Sequence, residues 1–137
     1  MAIFNKYQNG VEVLVTTANA STDAFKLALT NTAPNPSTHT VLTDITEIAA
    51  GNGYVAGGLS VAVTGSETGG TYTLAQDATV TLTASGGTVG PFRYVVFYDD
   101  TVALDPLLSY YDYGSSITLT NTETFAMGAA ATVFTVA

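Results

Sequence analysis

The sequence has no cysteine and no tryptophan, and only three of its 137 residues are basic and one is histidine. Each scarcity excludes a class of function. Without cysteine there are no disulfide frameworks, thiolate metal sites or thiol nucleophiles. Lys6, Lys26 and Arg93 face eleven acidic residues, for a net charge of -8. Nucleic acid is therefore not an expected partner, because neutralising phosphates needs clustered Lys and Arg. Long apolar runs are missing too. No stretch approaches the roughly 18 residues that span a bilayer, so no membrane partner is expected. The opening Met1-Ala2-Ile3-Phe4-Asn5-Lys6 lacks the basic and apolar regions of a signal peptide. The expectation is a chain made in a cytoplasm that stays soluble. Charge of either sign is scarce, at 10% of residues, against roughly 25% in an ordinary soluble domain.

What is present is the vocabulary of β-sheet. Hydrophobic residues make up 47% of the chain, and Val, Thr and Tyr recur, side chains that suit a pleated, half-buried surface. Alternation of apolar and polar positions marks strands at Val11–Val15, Ala24–Thr30 and Thr79–Thr83. Phe25, Leu27 and Leu29 share one face of the second of these. Arg93–Tyr98 is apolar on both faces, which suits a central strand covered on both sides. Leu107–Tyr113, Ser116–Thr120 and Thr132–Val136 read as further strands, with weaker signals near Leu59–Val63 and Thr71–Ala75. Turn residues separate them at Pro34-Asn35-Pro36, Gly51-Asn52-Gly53, Gly57-Gly58, Gly69-Gly70, Gly86-Gly87 and Tyr113-Gly114-Ser115. Many short strands with frequent turns indicate an all-β sandwich or barrel. One segment reads differently. Thr43 or Asp44 can cap a helix, Glu47 can reach back to its start and Gly51 can end it, so a short helix is expected over about 43–50. The domain reading is a flexible N-terminal arm over 1–10 and a β-sandwich domain over 11–137.

Chemistry-bearing residues are few. His39 lies in the polar loop Ser37-Thr38-His39-Thr40, and no G-x-S-x-G nucleophile turn accompanies it, so it reads as a solvated loop residue. Asp99-Asp100, followed by Asp105 and Asp112, offers carboxylates for glycosidic acid–base work or for a cation such as Ca²⁺. Their spacing does not match an EF-hand, and a strand-ending turn with solvated acids is the plainer reading. Gly51–Gly58 lacks the lysine of a phosphate-binding loop and opens no helix, so its glycines read as conformational. Tyr94, Tyr98, Tyr110, Tyr111 and Tyr113 read as core or subunit-interface aromatics. Arg93, entering an apolar strand, needs a carboxylate or a carbonyl fork; a structural ion pair with Asp112 or Glu47 is the plainer reading and an intersubunit contact the alternative. No catalytic, cofactor-binding or metal-ligating residue is assigned, and no cofactor is expected.

Four blocks carry a family resemblance: Asp23–Thr30 leading to Asn35-Pro36-Ser37-Thr38-His39; Leu42–Gly58 with its G-x-G-Y-x-x-G-G loop; Phe92–Thr101; and Asp105–Ser116 running on through Glu123-Thr124-Phe125. Together they resemble small structural proteins of tailed-bacteriophage virions, including capsid cement or decoration proteins of jelly-roll type. The resemblance covers roughly residues 20 to 125. It implies a single-domain, jelly-roll-like β-sandwich that is not an enzyme. It also implies that the protein binds the outer capsid surface and staples neighbouring capsid subunits, with the major capsid protein as partner and a homo-oligomer (dimer or trimer) as its state. Negative charge suits the outside of a shell, since packaged DNA would repel it. The alternative from another class is a tail- or fibre-associated module that binds a host surface glycan through Tyr110, Tyr111 and Asp112. A small glycosidase using Asp99, Asp100 or Asp105 is the third.

Overall fold

Strand β7, Val89–Asp99, is the axis about which the chain is organised, and its side chains sort the interior into two parts. Val95 and Phe97 enter one cluster, with Phe25, Leu27, Leu29 and Leu108. Tyr94, Val96 and Tyr98 enter the other, with Ala28, Leu107 and Tyr110. This is the two-residue period of a pleated strand with both faces buried, as the apolar run at Arg93–Tyr98 predicts. β7 pairs antiparallel with β2 (Phe25–Thr30) on one side and β8 (Leu107–Leu119) on the other. β1 (Ile3–Lys6) and β3 (Leu59–Val61) complete a five-stranded sheet in the order β1-β8-β7-β2-β3.

The computed structural model describes residues 3–19, 22–127 and 132–136. Its remaining strands form a three-stranded sheet and a two-stranded one. The first has β4 (Val63–Thr68) and β5 (Thr71–Gln76), with β10 (Thr132–Val136), in the order β10-β5-β4. The second pairs β6 (Val80–Thr83) with β9 (Thr124–Met127). Leu74, Leu82, Met127, Val133 and Phe134 from these sheets share the cluster of Phe97 and Leu27. The opposite face of the five-stranded sheet is covered by Tyr7, Ile45 and Leu42. The whole is an all-β, sandwich-like arrangement of antiparallel sheets with one short helix.

That helix is not where the sequence places it. Only a 3₁₀ turn, Leu42–Asp44, forms in the expected 43–50 segment. Beyond it the chain stays extended because its backbone bonds sideways to β2. Ile48 N–H donates to the Leu29 carbonyl at 3.0 Å, Thr30 Oγ1 donates to the Thr46 carbonyl at 2.5 Å, and Thr30 bridges Glu47. Ile45 and Ile48 therefore enter different clusters. Asp44 acts as a local cap, accepting from Thr40 and Val41 N–H.

The α-helix, α1, spans Gln8–Thr16 and takes in Val11–Val15, expected as a strand. Ile3–Lys6 already occupies the place beside β8, and the Tyr7 N–H donates to the Leu108 carbonyl at 3.0 Å as that pairing ends. With the place beside β8 taken, the following residues satisfy their backbone groups as a helix. Gly10 lets it lie on β8: a Cβ there would stand 2.8 Å from the Leu108 carbonyl oxygen. The expected arm over 1–10 is thus strand and helix across residues 3–10, while Met1 and Ala2 lie outside the described residues. Tyr113-Gly114-Ser115, expected as a turn, instead runs within β8, where Gly114 at φ +85° accompanies a register shift against β7.

Candidate functional site

The carboxylates singled out by sequence end in separate surroundings. Asp99, at the last position of β7, is wholly buried. Its Oδ1 accepts from the Thr101 and Val102 N–H groups at 2.8 and 3.1 Å, which closes the strand-ending turn. Its Oδ2 is buried with no hydrogen-bond partner among the described residues. Burial, and next the contact with Asp23, push the Asp99 carboxyl up to about 6. Asp23 is held from behind by the Asn19 N–H at 2.8 Å. Asp100 pairs with Lys26 at 3.3 Å, and Asp105 sits at φ +53° in the following loop with its carbonyl accepting from Leu42 N–H. Among the described residues no group of three or more His, Asp or Glu is placed to hold a metal ion. Asp23, the acid beside Asp99, stands 76 positions earlier and gave no sequence signal; only the pairing of Phe25 with Asp99 brings the two together.

Asp112 belongs to Arg93, as one of its two expected candidates. The pair is bidentate, Nε to Oδ1 at 2.7 Å and Nη2 to Oδ2 at 2.9 Å, and it ties β7 to β8. The guanidinium also stands 5.2 Å from the centre of the Tyr94 ring. Arg93 holds the Asp112 carboxyl below its usual range, aided by the Gly114 N–H. The tyrosines proposed for glycan stacking are packed by other side chains. Tyr110 lies against Tyr7 and Tyr94. Tyr111 faces the other way, half-buried against Phe4, and its hydroxyl donates to the Thr132 carbonyl.

Glu47, the other candidate for Arg93, organises the glycine-rich loop instead. It accepts from the Tyr54 hydroxyl at 2.8 Å and from Gly57 N–H at 2.9 Å. Tyr54 in turn accepts from Leu29 N–H, and Tyr98 donates to the Gly57 carbonyl at 2.5 Å. At Gly58, φ is +87° and a Cβ would collide with the Leu27 carbonyl. The loop is a packed excursion against β2, in line with the conformational reading of its glycines. His39 is half-buried, and its Nδ1 accepts from Asn35 N–H across the Pro34–Pro36 turn.

All three basic side chains have internal partners. Lys26 and Arg93 form the two ion pairs just described, and Lys6 donates to the Thr135 carbonyl at 3.1 Å beside the Phe134 ring. The surface outside these contacts is acidic or uncharged. Hydroxyls are exposed along β4 and at β6, at Thr64, Ser66, Thr68, Thr79, Thr81 and Thr83. Ile3, Val55 and Leu104 are the large apolar side chains left exposed among the described residues. No described helix is long and apolar enough to cross a membrane. No family model, no curated protein and no solved structure matches the chain.

Proposed function

We propose that this protein is a non-enzymatic structural component of a tailed-bacteriophage virion that binds the outer capsid surface and staples neighbouring capsid subunits. The observation that carries the reading is that all three basic side chains are engaged by acceptors of the fold, Lys26 and Arg93 by carboxylates and Lys6 by a carbonyl. Besides the exposed Ile3, Val55 and Leu104, what remains to face a partner is mainly carboxylate, hydroxyl and glycine. A surface of that kind is repelled by packaged DNA. Its hydroxyl-rich strand faces are covered by a protein partner at smaller desolvation cost than Lys or Glu would impose. The partner is the major capsid protein, and many symmetric copies multiply modest contacts into a reinforced shell. The four-block sequence resemblance supports the same reading, and so does the all-β sandwich. The glycan-binding alternative loses support, because Tyr110 and Tyr111 are packed against Tyr7, Tyr94 and Phe4 rather than open for stacking.

The test is copy number and particle strength. Quantitative gel densitometry of purified virions carrying the protein should give hundreds of copies per particle on this reading. A handful of copies would assign it to the tail instead. Particles stripped of the protein should disrupt at lower temperature and regain strength when it is added back. Unchanged strength would reject the stapling role.

A further inference from the structure

The edges of the sheets are managed unequally. On β10, the Val133, Thr132 and Thr135 carbonyls receive the Ser109 hydroxyl, the Tyr111 hydroxyl and the Lys6 ammonium, and the strand carries a register irregularity at its start. β1 and β3 are short, and β1 ends in Lys6. These are the devices that keep strand edges from pairing with other chains. β4 has none of them. It is the outer strand of its sheet, six residues long, without lysine, proline or bulge, and is exposed from Thr64 to Thr68. Its one charged side chain, Glu67, is turned to the hairpin's own Gly70 N–H at 2.6 Å.

Which backbone groups of β4 face outward follows from its turn. Gly69 and Gly70, at φ +59° and +87°, form a two-residue hairpin turn between the paired Thr68 and Thr71. The residues flanking such a turn exchange hydrogen bonds. Thr64, Ser66 and Thr68 therefore direct their backbone groups at β5, and Val63, Gly65 and Glu67 direct theirs away.

We propose that β4 pairs antiparallel with β4 of a second copy of this chain, about a two-fold axis at Gly65, joining two three-stranded sheets into one. In that register Gly65 meets Gly65, and Val63 and Glu67 of one copy meet Glu67 and Val63 of the other, so every outward donor finds an acceptor. Thr64 lies beside Ser66 of the copy, and the two Glu67 carboxylates are kept apart. Such self-complementarity is what an isologous contact requires, and it favours a second copy over an unrelated strand. The inference does not rest on the virion reading, since the pairing holds wherever the protein works.

Sedimentation equilibrium of the full chain tests it. The wild type and Glu67→Ala should show a reversible dimer. Glu67→Pro, which lacks the outward N–H, should weaken dimerisation by about tenfold or more. The bonds at the edge are uncharged while the two copies repel, so added salt should strengthen association. A second measurement does not depend on how the proline variant folds. The chain has no cysteine, so mixing Thr64→Cys with Ser66→Cys chains under oxidising conditions should yield a covalent heterodimer. The proposal is overturned by a wild type that stays monomeric, by a dimer that salt dissolves, or by a dimer whose cysteine variants do not cross-link.

Discussion

Asp99 at the end of β7 keeps its amide-free oxygen buried without a hydrogen-bond partner, and the nearby Asp23 carboxyl adds to burial in favouring its protonated form. The consequence is a pH dependence opposite to that of the ion-paired acids. Asp99 titrates at about 6 in the folded chain, against roughly 3.9 in an unfolded one. The stability it contributes is therefore fully present below the unfolded value and is lost as pH rises through the folded one. Asp112, Asp44 and Glu123 are all lowered, so their contributions are present above the unfolded carboxylate range and are lost as pH falls. Asp99→Asn keeps the acceptor for Thr101 and Val102 and removes the buried charge. Thermal unfolding from pH 4 to 8 should show the variant matching or exceeding the wild type at neutral pH, with the advantage shrinking below about pH 5. A difference that does not vary with pH would refute the raised Asp99 carboxyl.

Tyr7 presents a related case, a neutral polar atom with no partner to replace. The side chain is wholly buried between Tyr110 and the outer face of the main sheet, and its hydroxyl has no hydrogen-bond partner among the described residues. Removing a buried, unsatisfied hydroxyl while keeping the ring relieves a desolvation penalty of about 1 kcal/mol or more. Tyr7→Phe should raise the denaturant midpoint at unchanged m-value. A drop in the midpoint would show that the hydroxyl is bonded, through water or otherwise.

Two glycines at positive φ separate backbone strain from steric collision. Gly114 stands at φ +85° with open space around its missing side chain, and Gly58 at φ +87° is pressed on the Leu27 carbonyl. Gly114→Ala should cost about 1–2 kcal/mol, the penalty of a left-handed conformation alone. Gly58→Ala adds a backbone clash and should cost roughly 3 kcal/mol or more. Chemical denaturation of the two variants should rank them in that order, and equal losses would refute the close approach of Gly58 to β2.

The contrast between what the sequence announces and what it conceals follows from the range of the interactions. β7 and β2 are legible because burial of a pleated strand writes itself into every second residue, and the Arg93–Asp112 pair is legible because a lone arginine in an apolar strand must find an acid. The segments at 8–16 and 43–50 mislead for one shared reason. Their local propensities, β-branched in the first and helix-capped in the second, are overruled by which sheet edge is vacant. Val11–Val15 finds the edge at β8 already taken by Ile3–Lys6, whereas Thr46–Ile48 finds β2 open beside Leu29 and Thr30. No periodicity records which edge is free. The Asp23–Asp99 contact is hidden in the same way, since strand pairing alone makes neighbours of residues so far apart in the chain.

Glu47 is where that edge pairing and the glycine-rich loop are joined, which makes it a test of whether the loop is held or merely placed. Its carboxylate takes both the Tyr54 hydroxyl and the Gly57 N–H, and Tyr54 reaches on to Leu29 N–H in β2. Hydrogen bonds to a charged acceptor are worth about 1.5–3 kcal/mol, and Glu47→Ala removes two of them while leaving Tyr54 buried. The loss should fall on residues 51–58 before it reaches the strands, because the Thr30–Glu47 bridge is made by backbone, which the substitution keeps, and the pairings of β7 do not involve Glu47. Limited proteolysis should cut Glu47→Ala within 51–58 at protease levels that leave the wild type intact, and Glu47→Gln, which keeps an acceptor oxygen, should fall between them. Amide exchange in β7 should be unchanged at the same time. Cleavage elsewhere, or a loop as resistant as the wild type, would mean that Gly57 and Gly58 are held by their packing on Leu27 and Tyr98 and that the carboxylate is incidental.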